Sequence, residues 1–131
     1  MSRDLTKLSP WMQERIKRVL ARCHEEGLDI VAICTDRSDE DQNACFNSGA
    51  SNAKAGQSAH NAKDQHGNPA SEAVDFGVIR NGKYIGDGRD KSYLRMGEIA
   101  EAEGLVWAGR WRGKIREVAH VQNPNWKKPN C

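Results

Sequence analysis

The chain has no apolar run near the ~20 residues that a membrane-spanning helix needs; its clearest apolar stretch, Leu28 to Thr35, has only the length of a strand. The first ten residues lack the apolar h-region of a secretory signal, so we expect synthesis in the cytoplasm and any export by another route. Cys23, Cys34, Cys45 and Cys131 never form a Cys-x-x-Cys pair. In a chain without a signal they read as reduced thiols, mostly buried, and a cysteine-based zinc site is not expected. Internal repeats and domain linkers are absent too. The 131 residues suffice for one domain with a real core and leave no room for a second module. Charge of one sign is also scarce: a formal +2 is too slight to imply nucleic acid. A mild basic concentration at Arg110, Arg112, Lys114, Arg116, Lys127 and Lys128 suits an anionic polymer, and equally a solvated face.

What is present reads as alternating elements. Ser9-Pro10 pairs an N-cap with proline at the first helical position. Met12, Ile16, Val19, Leu20 and Cys23 then recur at helical spacing, and Gly27 is a stop. Leu28 to Thr35 is β-branched and apolar, which predicts a buried strand. Ser38 with Asp41 caps a short helix ending near Gly49. Residues 49–72 carry Gly, Ser, Asn, Ala and Lys without a period, so they form a long loop, and long loops in compact domains are usually functional or disordered. Ala73 to Ile79 is a strand, with Asn81-Gly82 as a hairpin turn into Tyr84-Ile85. Tyr93, Met96, Ile99 and Ala100 mark a helix closed by Gly104; short strands follow at Leu105 to Trp107 and Glu117 to Val121. The order predicts one α+β domain over 1–131, with its core at about 9–122, a small, mainly antiparallel sheet flanked by helices, and a polar tail over 123–131.

Hydrolytic zinc takes three protein ligands, usually histidines with one carboxylate, and keeps a fourth position for water. The sequence offers His60 at the end of Gly56-Gln57-Ser58-Ala59-His60, Asp75 inside a strand, and His120 in Glu117-Val118-Ala119-His120. Each has a plainer reading. A lone histidine is more often a surface or hydrogen-bonded residue, and an aspartate in a strand often marks a strand-end turn. If 117–121 is extended, Glu117 and His120 point to opposite faces, and a bend or bulge is needed to bring both to one metal.

Taken together and in order, Ser58-Ala59-His60, Ala73-Val74-Asp75-Phe76, Trp107-Ala108-Gly109-Arg110-Trp111 and Glu117-Val118-Ala119-His120-Val121-Gln122 resemble the M15 family of zinc peptidases. Upstream, Ile33-Cys34-Thr35-Asp36-Arg37-Ser38 with Gln42 resembles the family's segment carrying a functional arginine. The resemblance covers about Val31 to Gln122 and implies the hedgehog/D-Ala-D-Ala-peptidase-like fold. It implies one catalytic zinc ion held by His60, Asp75 and His120, Glu117 as general acid/base, and Arg37 on the substrate carbonyl oxygen. Ser58 would support the substrate or the His60 loop, and Gln42 the substrate. Trp107 and Trp111 are expected in core packing beside the cleft. The sequence departs from the family's compact His-x-x-Gly-x-Ala-x-Asp run by an extra stretch, Ala62 to Pro69, and by Ser71 where the family has glycine. The turn formers in that stretch allow a protruding loop that preserves the geometry; His66, inside it, is the alternative first ligand.

Family members include phage endolysins that cut between L-Ala and D-Glu. A short chain without a wall-binding module resembles those of phages infecting Gram-negative hosts. The resemblance then implies a monomer made in the cytoplasm and released to the periplasmic wall by a holin or similar partner. Its target would be the peptidoglycan stem peptide, without nucleic acid or stable membrane association. The alternatives are a D-Ala-D-Ala carboxypeptidase or dipeptidase, and a non-catalytic wall-binding domain of the same fold. A nucleic-acid module using the interleaved Trp and Arg of Trp107 to Arg112 lacks any accompanying motif.

Overall fold

Ser9 accepts a hydrogen bond from the Met12 N–H and Pro10 supplies the first helical φ, so helix α1 begins where the sequence places it, Pro10–Glu25. A computed structural model describes residues 2–51, 53 and 56–126; Met1, Lys127, Lys128 and Cys131 of the sequence reading lie outside them. The chain continues through β1 (Ile30–Cys34), α2 (Asp39–Asn47), β2 (Ala73–Arg80), β3 (Lys83–Ile85), α3 (Lys91–Ala102), β4 (Val106–Trp107) and β5 (His120–Gln122). Between α2 and β2, the long loop contains one 3-10 turn, Ala59–Asn61. The inserted stretch closes on itself: Lys63 bridges Pro69, and Asp64 Oδ1 accepts the N–H groups of His66 and Asn68.

All strand pairs are antiparallel, in the order β1-β2-β5-β4, with β3 also on β2. Asn81 and Gly82 both take positive φ, the backbone a two-residue hairpin needs to follow the strand twist. Val78 faces β1 and β3 at once, and Asp75 faces β1 and β5, so β3 and β5 share one edge of β2.

Strand alternation then separates core from site. Val74, Phe76 and Val78 point under α1 and α3, where they meet Met12, Ile16 and Val19 from one helix and Tyr93, Met96 and Ile99 from the other. Each such fully buried side chain contributes about 1.5–3 kcal/mol. Asp75, between Val74 and Phe76, points to the opposite face. Across β1 the register slips by one residue at Ile33, so Cys34 rather than Ile33 stands opposite Asp75. That bulge turns Cys34 onto the Asp75 face. On the other side His120 is paired with Asp75. Three chemically active side chains therefore stand in one row across three strands.

Trp107 joins the core to this row. Its ring is 3 % exposed, and its Nε1–H donates to the Val118 carbonyl at 2.7 Å, holding the segment before His120. A Cβ at Gly97 of α3 would lie 2.1 Å from the indole, and one at Gly109 2.2 Å from it. The ring fills the space that both glycines leave open. Alanine gains about 0.5–1 kcal/mol over glycine in a helix, whereas overpacking against a rigid ring costs about 1–3 kcal/mol. Gly97→Ala is therefore expected to destabilise by roughly 1–2 kcal/mol net, read as a lower urea midpoint with an unchanged slope.

Candidate metal centre

His60, Asp75 and His120 come from a 3-10 turn, a central strand and the strand paired with it, and they converge. Ser58 caps the turn by accepting the His60 N–H at 3.2 Å, and the ring is 2 % exposed. His60 Nδ1 lies 2.7 Å from the Thr35 carbonyl, a group that can only accept, so Nδ1 carries the proton. The other nitrogen, Nε2, faces Asp75 Oδ1 at 3.2 Å. His120 repeats the pattern reversed: Nε2 lies 2.8 Å from Gln122 Oε1, and Nδ1 faces the same Asp75 Oδ1 at 2.9 Å. The rings meet edge to face, 5.1 Å between centroids.

Neutral histidines would thus aim two bare lone pairs at a carboxylate oxygen. Only positive charge between these atoms, as protons or a metal ion, makes the arrangement favourable. The acid–base properties say the same. Burial by itself would lower the His60 pKa, yet the Asp75 charge and hydrogen bond raise it overall. Burial would raise that of Asp75, yet His60 and His120 hold its carboxyl well below the usual carboxylate range. Two nitrogens and one oxygen, each oriented by a partner on its far side, are the donor set that suits zinc.

Glu117 stands beside His120 at the edge of the site. It is 43 % exposed, and its Oε2 lies 3.6 Å from His120 Nδ1. The extended strand expected over Glu117 to Val121 is corrected here. The His120 N–H bonds the Glu117 carbonyl in a turn, and strand pairing starts only at His120. This turn supplies the bend that the spacing demanded, so Glu117 and His120 share one side. Asp75, Glu117 and His120 form a group whose ligand atoms all lie within 4.8 Å of one another.

A second such group is Cys34, His60 and Asp75. Cysteine was not expected in the site, and the β1 bulge put it there. Cys34 Sγ stands 3.9 Å from His60 Nδ1 and 3.7 Å from an Arg37 nitrogen. It thus approaches His60 on the side already bonded to Thr35, away from the nitrogen facing Asp75. Arg37 holds the second carboxylate oxygen, Asp75 Oδ2, at 3.4 Å and Gln42 Oε1 at 2.8 Å.

Gln42 is fully buried, with its amide nitrogen on Ser51 Oγ and the Ala53 carbonyl. The structure places this residue, expected at the substrate, in the interior behind Arg37. His66, the alternative first ligand, is exposed in the inserted loop, where its ring meets Gln65, and it belongs to neither metal-type group.

Beside the centre lies a cleft of about 340 Å³, lined by Ser58, Trp111, Ile115, Glu117, His120 and Trp126 among others. Trp111 is a cleft wall, with its ring 5.8 Å from that of His120, rather than core packing like Trp107. Trp126, in the segment read as a featureless tail, is a second wall. The apolar period gave no signal for it, because a single aromatic in a turn has no periodicity.

Zinc is expected to raise the melting temperature of the wild-type chain, by about 4 kcal/mol of stabilisation at a thousandfold excess over Kd. His120→Ala should lose that response and Glu117→Ala should keep it; thermal melts with and without zinc measure both.

No family model and no curated protein matches the chain. Seven chains of solved structures do match. One is the L-Ala D-Glu endopeptidase ChiX of Serratia marcescens, at a TM-score of 0.66 and 17 % identity, with 91 % of this chain and 82 % of that one covered. At this identity the likeness establishes the fold: this chain has the α+β architecture of that endopeptidase.

Proposed function

We propose that the chain is a zinc-dependent peptidase of peptidoglycan that hydrolyses the bond between L-Ala and D-Glu in the stem peptide. The observation that carries this reading is the convergence of His60 Nε2, Asp75 Oδ1 and His120 Nδ1 beside Glu117, at the edge of a cleft. It is supported by the shared fold with a protein described as an L-Ala D-Glu endopeptidase. A metal site that served structure alone would have no use for a half-exposed glutamate beside it.

His60, Asp75 and His120 are assigned to hold the metal. When bound, zinc polarises the scissile carbonyl and lowers the pKa of bound water towards ~7. Glu117 takes a proton from the attacking water and returns it to the leaving amine, base first and acid second. Arg37 orients Asp75 through Oδ2, and we assign the 10 % of its side chain that remains exposed to the substrate carbonyl oxygen. Ser58 holds the His60 turn from the cleft wall, and Trp111 and Ile115 shield the reacting groups from bulk water.

Among the described residues no helix is long and apolar enough to cross a membrane. We extend the proposal to a phage-type lytic role, in which a monomer made in the cytoplasm reaches the wall with the help of a holin-like partner.

A zymogram on purified peptidoglycan tests the reading: clearing that chelator abolishes and zinc restores is the expected result. No clearing with zinc present would instead favour a wall-binding domain of the same fold. Mass spectrometry of the digest should show stems ending in L-Ala and released peptides beginning with D-Glu, whereas released D-Ala would assign the other bond. Glu117→Ala should lose about 10²- to 10⁴-fold in rate, and Arg37→Ala about 10²- to 10³-fold. Near-normal turnover by Glu117→Ala would sink the mechanism.

A further inference from the structure

One fully buried hydroxyl has no part in the chemistry above. Ser71 Oγ lies 2.8 Å from the Thr35 carbonyl oxygen and 2.8 Å from that of Ala73, and it accepts the Ala73 N–H at 3.2 Å. The Thr35 oxygen is the one that receives the His60 Nδ1–H. The Ser71 hydroxyl has one proton for two carbonyls; donated to Thr35, it gives that oxygen two donors, one from each side of the inserted loop, His60 before it and Ser71 after it. With both lone pairs engaged, that oxygen has a fixed direction.

Both partners are anchored elsewhere. The Ser71 N–H bonds the Lys7 carbonyl, the Ser71 carbonyl accepts the Ser9 N–H, and the Thr35 N–H bonds the Ser2 carbonyl. The residues ahead of α1 thus strap Ser71 and Thr35 in place. Such a strap has a purpose here. His60 and Asp75 stand fifteen positions apart, and a longer connection restrains its ends less than a short one. A pin across the base of the loop restores what the insertion loosens.

We propose that Ser71 is a positioning residue for His60. By donating to the Thr35 carbonyl it keeps that oxygen aimed at His60 Nδ1–H, and so keeps Nε2 turned towards Asp75 for the metal. The metal part of this inference rests on the proposed role of His60 as a ligand; the hydrogen-bond part does not. The competing role is a buttress for the start of β2 through Ala73, which would stabilise the fold without acting on His60.

Two measurements on the full chain separate them: zinc affinity by competition with a chromogenic chelator, and solvent exchange of the His60 Nδ1–H by NMR in metal-free protein. Ser71→Ala should weaken zinc about tenfold or more, as loss of an outer-shell partner does, and should speed Nδ1–H exchange. Ser71→Cys, a weaker donor of similar size, should fall between, and it carries the test if Ser71→Ala does not fold. Val19→Ala, in the core face of α1 and in none of these hydrogen bonds, should lower the melting temperature and leave both readouts unchanged. If the Ser71 variants match Val19→Ala, or if only one readout moves, the proposal is overturned. Should wild-type protein bind no zinc, the metal reading of His60 fails, and Nδ1–H exchange alone then decides whether Ser71 positions the ring.

Discussion

Asp75 Oδ1 lies within 3.2 Å of two imidazole nitrogens whose far sides are already bonded, and the surrounding architecture serves to hold that arrangement. Left neutral and empty, three such lone pairs would repel and the site would spread apart. Burying charge in a protein costs several kcal/mol per ion unless partners compensate. Here the partners are built into the most rigid part of the fold. Asp75 is on the central strand, His120 is its direct ladder partner, and Arg37 occupies the carboxylate oxygen that the histidines leave free. A metal ion tolerates little error in donor position, and sheet pairing fixes two of the three proposed donors without help from any loop.

The third residue of the group, His60, comes from a loop, and several hydrogen bonds hold that loop. Ser58 caps the turn, Thr35 holds the ring, Asn61 bonds the Arg37 carbonyl, and the Glu72 N–H bonds Ala59. Core and site meet again at Trp107, which packs against Gly97 and Gly109 and holds the Val118 carbonyl with its indole N–H. Through that bond the turn carrying Glu117 is tied to the hydrophobic core, so the position of Glu117 depends on how α3 packs.

Local signals account for much of the fold. Ser9-Pro10, the apolar period of α1 and α3, and the Asn81-Gly82 turn each act within a few residues, and each is found where those residues place it. Strand alternation around Asp75 was readable for the same reason: a polar residue between Val74 and Phe76 has to face away from their side. The ordered motifs also nominated the residues that the structure gathers at one point. His66 lacks the Ser-x-His context of His60, and the turn formers around it allowed a protruding loop; the structure shows that loop closed on itself, with His66 exposed.

What the sequence by itself determined, then, is the set of elements and the chemical types available, because caps, turns and amphipathic periods are short-range effects. Tertiary structure alone decided the rest. The bulge at Ile33 brought Cys34 to the Asp75 row, and the 117–120 turn put Glu117 on the same side as His120. Gln42 was drawn into the interior beneath Arg37, Trp126 became a cleft wall, and one carbonyl of Thr35 came to serve both ends of the insertion. Each is a relation between residues far apart in the chain. Its energy exists only once the sheet has set their register, which is why no window of sequence carries it.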